Sequence, residues 1–228
     1  QMCIRDRRIW RSQRQDTHAV RRYRSDMEWT TAPKIVLTVL LVAVAVLDLK
    51  TQRVPHLITW PFLMAAIVAA AWEGSWIPAP LLLCLVLVEV LPQIWQIPAV
   101  VVLTGTAQCA ARWTLDDPTG QFVALWWGVA YALWVLHVLG GGDTRLFMAL
   151  VALFPQPGMV AALWGGFALV GVVWLLVLYR HSAPVPLVQA GQDILSSHYP
   201  SREELEEHGR PTTPGLALGA LVYLWLMA

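Results

Sequence analysis

The stretch IVLTVLLVAVAVLDLKTQRVPHLITWPFLMAAIVAAAW, residues 35–72, is two apolar blocks joined by a short polar bridge that carries an aspartate, a lysine and an arginine. Each block approaches the length of helix that crosses a bilayer, about 20 residues, and neither shows the strict alternation of a barrel strand. The pattern predicts a helix over 33–48 that ends on Asp48 and a second over 57–72. Working outward, the same pattern predicts helices over 79–91, 97–111, 122–139, 145–155, 158–179 and 213–228. The segments 79–91 and 145–155 are short for a full crossing, so tilting, partial re-entry, or merging through Pro92 or Pro155 is expected. Pro98 falls at the start of a run, where proline costs a helix little. The expected fold class is all-α, a polytopic membrane helical bundle of about 6–8 transmembrane helices.

Composition supports this. The 228 residues are 57% hydrophobic and 14% charged and include 13 Trp, which is too apolar for an ordinary soluble domain. The lipid bilayer is therefore the expected environment. No internal repeat is evident.

The N-terminal segment QMCIRDRRIWRSQRQDTHAVRRYRSD holds 8 of the 16 basic residues and almost nothing apolar. Its opening QMCIRD looks like a translated sequencing adapter, so residues 1–26 are expected to be partly or wholly a gene-model artefact, with Met27 as the natural start. A disordered basic tail is the alternative. Without these residues 8 basic groups face 12 acidic ones, a net charge of −4, and nucleic acid is not an expected partner. Cys84 and Cys109 lie in apolar runs with no CxxC spacing, so they are expected to be small buried hydrophobes and not a metal or redox site.

If the first helix enters from the outer face, the loops 49–56, 92–96, 140–144 and 180–212 face the cytoplasm. Lys50, Arg53, Arg145, Arg180, Arg202 and Arg210 then fall inside and only Lys34 and Arg112 outside, as the positive-inside rule asks. This topology places Asp48, at the end of the first helix, and Asp143, at the end of the fifth, on the same membrane edge. A carboxylate at that depth is costly and marks a candidate functional site. Glu89, inside a short apolar helix, could pair with a polar group.

Two carboxylates held together in a low-dielectric pocket share a proton, so one can activate a water while the other polarises a carbonyl. The run HVLGGGDTRLF, residues 137–147, sets Gly140, Gly141 and Gly142 directly before Asp143. Glycines there would let a peptide approach closely. Alternatively they merely end one helix while Asp143 caps the next.

These residues carry a resemblance. GGGDTRLF resembles the GxGDxKL motif of the type IV prepilin and preflagellin peptidases, and LDLKTQRVPHLIT resembles that family's other element, an aspartate ending a helix followed by basic residues and IPN. PTTPGLALGALVYL is similar to the proline and small residues that begin the family's last helix. The resemblance implies a membrane aspartic endopeptidase with Asp48 and Asp143 as the catalytic pair, the glycine loop shaping the site, and Arg53 and Pro55 fixing the turn after Asp48. Arg145 stands where the family usually has lysine, and His56 where it usually has asparagine. The family typically runs two helices between its aspartates, whereas four are predicted here, which suggests an inserted hairpin near 79–111.

No methylating domain with paired CxxC is seen, so the resemblance implies a protease-only form that uses no metal or cofactor. Residues 27–228 are then one membrane peptidase domain with a cytoplasmic loop over 180–212. The implied partner is a pilin-like or flagellin-like precursor, cut at the cytoplasmic side of the inner (plasma) membrane by a multi-pass enzyme. The acidic loop segment, including Glu203 to Glu207, could receive its basic leader. The alternatives are a small transporter, a pilus-assembly scaffold, or a protease like presenilin or signal peptide peptidase.

Smaller features read more simply. His137 is expected to be a packing histidine. Trp60, Trp72, Trp76, Trp113, Trp126 and Trp127 are expected to be interfacial anchors, and WGGFALVG to be a helix contact.

Overall fold

The structure, a computed structural model, describes residues 31–51, 56–113, 115–136, 138–181 and 213–226, with the side chains of 31, 32, 56 and 174–181 excepted. The expectations for the 1–26 segment, the 182–212 part of the loop, Arg53, Pro55 and His137 lie outside the described residues. Among the described residues the chain is all-α, with eight helices: α1 (Thr31–Thr51), α2 (His56–Trp72), α3 (Pro78–Val88), α4 (Gln93–Trp113), α5 (Pro118–Val135), α6 (Gly141–Leu153), α7 (Pro157–His181) and α8 (Thr213–Leu226).

Chain contacts define two units, Gln1–Val39 and Leu40–Ala228. In the first, the described residues are the opening of α1, where the Thr38 hydroxyl donates to the Lys34 carbonyl at 2.7 Å. The second holds the rest of α1 and the other seven helices.

At the centre of this second unit lies α6. No residue from Leu146 to Ala152 is more than 2% exposed, so the helix is enclosed on every side. A helix apolar all round is a core helix, and burial in protein frees it from the length a lone crossing demands. It packs against α2, α5, α7 and α8. The link to α5 is also polar: the fully buried Trp127 donates its indole N–H to the Met148 carbonyl at 2.8 Å. Tyr131 ties α5 to α3 by donating its hydroxyl to the Leu85 carbonyl at 2.6 Å. Trp127 is therefore a core tether and not an interfacial anchor, whereas Trp72, Trp76 and Trp113 are exposed at helix ends.

Several boundaries move, each for a local reason. α3 stops at Val88, short of the expected 91, because the backbone N–H groups of Glu89, Val90 and Leu91 turn back to Val86, Leu87 and Val88 ahead of Pro92. Glu89 thus caps α3 and is exposed. α4 begins at Gln93, which puts Pro98 inside the helix and not at its start. α5 begins four residues earlier than hydropathy suggests because Asp117 caps it, accepting from the Gly120 N–H at 2.7 Å, with Pro118 next in line. Ser75 donates to the other Asp117 oxygen at 2.7 Å and so binds the α2–α3 turn to this cap. Cys84 is half-buried and Cys109 exposed, so neither is the buried thiol expected.

By length and hydropathy one described helix, α4, is sufficient by itself to cross a membrane, while α2, α3, α8 and the part of α7 up to Val173 contain shorter apolar stretches. Four helices, α2 to α5, separate α1 from α6, as the sequence predicts.

Candidate active site

Three helix ends converge: the last turn of α1 and the first turns of α6 and α8. Asp48 lies in α1 three residues before its end and is 4% exposed. A carboxylate near a helix C-terminus meets the negative end of the helix dipole, so it needs donors from elsewhere. Thr213, the first residue of α8 and wholly buried, supplies one: its backbone N–H donates to Asp48 Oδ2 at 3.2 Å. That N–H is available because the first amides of a helix have no intrahelical acceptor.

Asp143 is 7% exposed and sits inside the first turn of α6, a correction to its expected place at the end of the fifth helix. The helix starts at Gly141, with Gly140 as its N-cap in an extended conformation (φ −67°, ψ 152°) and no side-chain cap. The Asp143 carboxylate is used elsewhere: Oδ1 accepts a hydrogen bond from the Thr213 hydroxyl. One threonine therefore touches both aspartates, its hydroxyl reaching Asp48 as well as Asp143 while its main-chain N–H bonds Asp48.

The glycine run is explained by space and not by backbone handedness. Among the described residues Gly74 is the only glycine with positive φ, so none of the three before Asp143 serves as a left-handed helix stop. A Cβ on Gly140 would fall 3.1 Å from Asp143 Oδ2, and one on Gly141 would fall 3.3 Å from the Trp134 indole nitrogen. Gly142 follows in the first turn, half-buried. The turn is closed by Thr144, whose N–H and hydroxyl both donate to the Gly140 carbonyl, at 2.9 and 3.0 Å.

Arg145 lies on the same turn as Asp143, and its guanidinium carbon stands 4.9 Å from the centre of the Trp60 ring. Glu89 acts electrostatically on the same guanidinium, and Tyr131 lies beside it. These groups line a small cleft with Trp134, Gly141, Thr144 and Met148. Trp60 is therefore a stacking partner of Arg145. His56 opens α2, with its side chain outside the described residues.

Sequence reasoning missed Thr213. The available signal was a helix-opening threonine directly before proline in the very segment PTTPGLALGALVYL, one of the residue types that seek helix starts.

Two buried carboxylates bonded to one threonine where three helix ends meet, in an apolar helical chain, form a pair of a kind that can share a proton. Residues 35–176, more than half of the chain, match the type IV leader peptidase family, and the chain belongs to that family. The matched region includes Asp48 and Asp143 and stops before α8. Searches of curated proteins and of solved structures return no match.

Proposed function

We propose that this chain is a multi-pass membrane aspartic endopeptidase that removes the leader of a pilin-like or flagellin-like precursor at the cytoplasmic face of the inner membrane. The observation that carries the proposal is the joint bonding of Asp48 and Asp143 to Thr213 in a chain of a leader peptidase family. Membership in a peptidase family favours cleavage over transport or scaffolding.

The polytopic bundle is supported by the outward faces of the helices. Leu57, Val68, Leu83, Leu87, Val101, Val102 and Val172 are all exposed, spread over α2, α3, α4 and α7, and such a coat of aliphatic groups suits lipid better than water. In that setting α1 ends, and α6 and α8 start, on one face, which supports a single membrane edge for both aspartates.

The chemistry follows from the pair. With one proton shared, the ionised member takes a proton from a water as that water attacks the scissile carbonyl, while the protonated member donates to the carbonyl oxygen. Gly140 lacks the Cβ that would crowd the Asp143 carboxylate, and Gly141 the one that would crowd Trp134. Arg145, Arg53, Pro55 and His56 would then shape the ends of the site. A precursor with its apolar helix in the bilayer and its basic leader in the cytoplasm presents the bond between them at this depth.

Co-expression with a pilin-like precursor, read as a mobility shift, tests the proposal. The wild-type chain should cleave, and Asp48→Asn and Asp143→Asn should each abolish cleavage while leaving the protein in the membrane. Retained cleavage in either variant would overturn the assignment.

A further inference from the structure

We propose that Thr213 is a positioning residue for the carboxylate pair, and that the seating of α8 is what assembles the site. This rests on the peptidase proposal above. Asp48 and Asp143 come from helices that are far apart in the chain, and the start of α8 bonds to both. The two bonds differ in kind. The N–H to Asp48 belongs to the backbone and survives any substitution short of proline, whereas the bond to Asp143 depends on the side-chain hydroxyl.

Where Thr213 stands is set by backbone packing two residues further on. A Cβ at Gly215 would fall 2.8 Å from the Gly166 carbonyl oxygen, and one at Gly166 would fall 2.7 Å from the Gly219 nitrogen. α7 and α8 thus meet main chain to main chain, leaving little freedom in the height of α8. Contact at this distance fixes a helix more sharply than long side chains do, since backbone atoms have no rotamers to yield. Thr213 touches neither the water nor the peptide in this account. It acts through the two aspartates, holding their carboxyl planes in register so that one proton can be shared.

Thr213→Val has nearly the same shape, keeps the amide to Asp48 and removes only the hydroxyl. Leader cleavage by purified full-length protein in detergent should show kcat reduced by about tenfold or more, with KM within about twofold. Thr213→Ser restores the hydroxyl and should return kcat to within about threefold of wild type. Unchanged melting temperature in Thr213→Val separates this from misfolding.

A second readout needs no cleavage. The infrared band of the protonated carboxyl, assigned by its change in Asp48→Asn and Asp143→Asn, should shift in Thr213→Val and return in Thr213→Ser. Wild-type kcat, KM and carboxyl band in Thr213→Val would overturn the proposal, and so would equal losses in the Val and Ser variants. If the wild-type protein cleaves no precursor while the band still shifts in Thr213→Val, the peptidase proposal fails and the role of Thr213 in joining the pair stands.

Discussion

Gly166 of α7 and Gly219 of α8 touch so closely that a Cβ on Gly166 would sit 2.7 Å from the Gly219 nitrogen. The neighbour is backbone, so it cannot swing away, and a methyl group must push the helices apart. Gly166→Ala should cost about 1–3 kcal/mol through overpacking, seen as a melting temperature lower by about 2–10 °C in detergent. Cleavage should fall further than stability, because displacing α8 moves Thr213 away from Asp48 and Asp143. Gly165→Ala is the control: nothing lies within 4 Å of a Cβ there, and both properties should be unchanged. Equal behaviour of the two variants would mean that the α7–α8 contact is not a close one.

Much of this architecture was legible because the apolar blocks end where polar residues begin. α1, α2, α7 and α8 lie close to their expected positions, since Asp48 to His56 and the segment after Arg180 break the pattern sharply. Hydropathy misplaced the start of α5, because capping by Asp117 is a hydrogen-bond effect that a hydrophobic count does not register. The two aspartates were visible as costly charges in an apolar chain. Thr213 was not, because a threonine is ordinary at a helix start and its value comes from two carboxylates that only the folded chain brings to it. Trp127 was misread for the same reason, since its partner, the Met148 carbonyl, is brought to it only by the fold.

Trp127 is fully buried and donates to the carbonyl of Met148 in α6. Trp127→Phe keeps an aromatic ring but loses the donor and leaves a small void. The expected cost is about 1–3 kcal/mol, combining the lost hydrogen bond with incomplete collapse of the cavity. Thermal unfolding in detergent should register this as a drop in melting temperature. Cleavage measured well below that temperature should stay within about threefold of wild type, since Trp127 lies along α6 and away from its first turn. A collapse of activity without loss of stability would show that α6 transmits strain to Asp143.

Gly140→Ala should have the opposite signature. Its Cβ would lie 3.1 Å from Asp143 Oδ2, a contact that the carboxylate can relieve by rotating a little. Stability should change by less than about 1 kcal/mol, while kcat falls by about tenfold or more because the rotation disturbs the bond to Thr213. Steady-state cleavage alongside thermal unfolding separates the two. If activity survives, the space beside Asp143 is not needed by the reaction.

Arg145 stacks its guanidinium on Trp60, joining the first turn of α6 to α2, while Glu89 at the end of α3 acts on the same charge. Arg145→Lys retains a positive charge for Glu89 but gives up the flat face that lies against the indole. The expected loss is about 0.5–1 kcal/mol of stability, with cleavage reduced modestly. Arg145→Met removes the charge too and leaves Glu89 without it, so its loss should be larger. The stacking itself is measured by combining Arg145→Lys with Trp60→Leu. If the two side chains act together, the double variant should be less destabilised than the sum of the single ones, with a coupling of about 0.5–1 kcal/mol. Strict additivity would mean that the stacking contributes nothing and that Arg145 holds the turn through its other contacts.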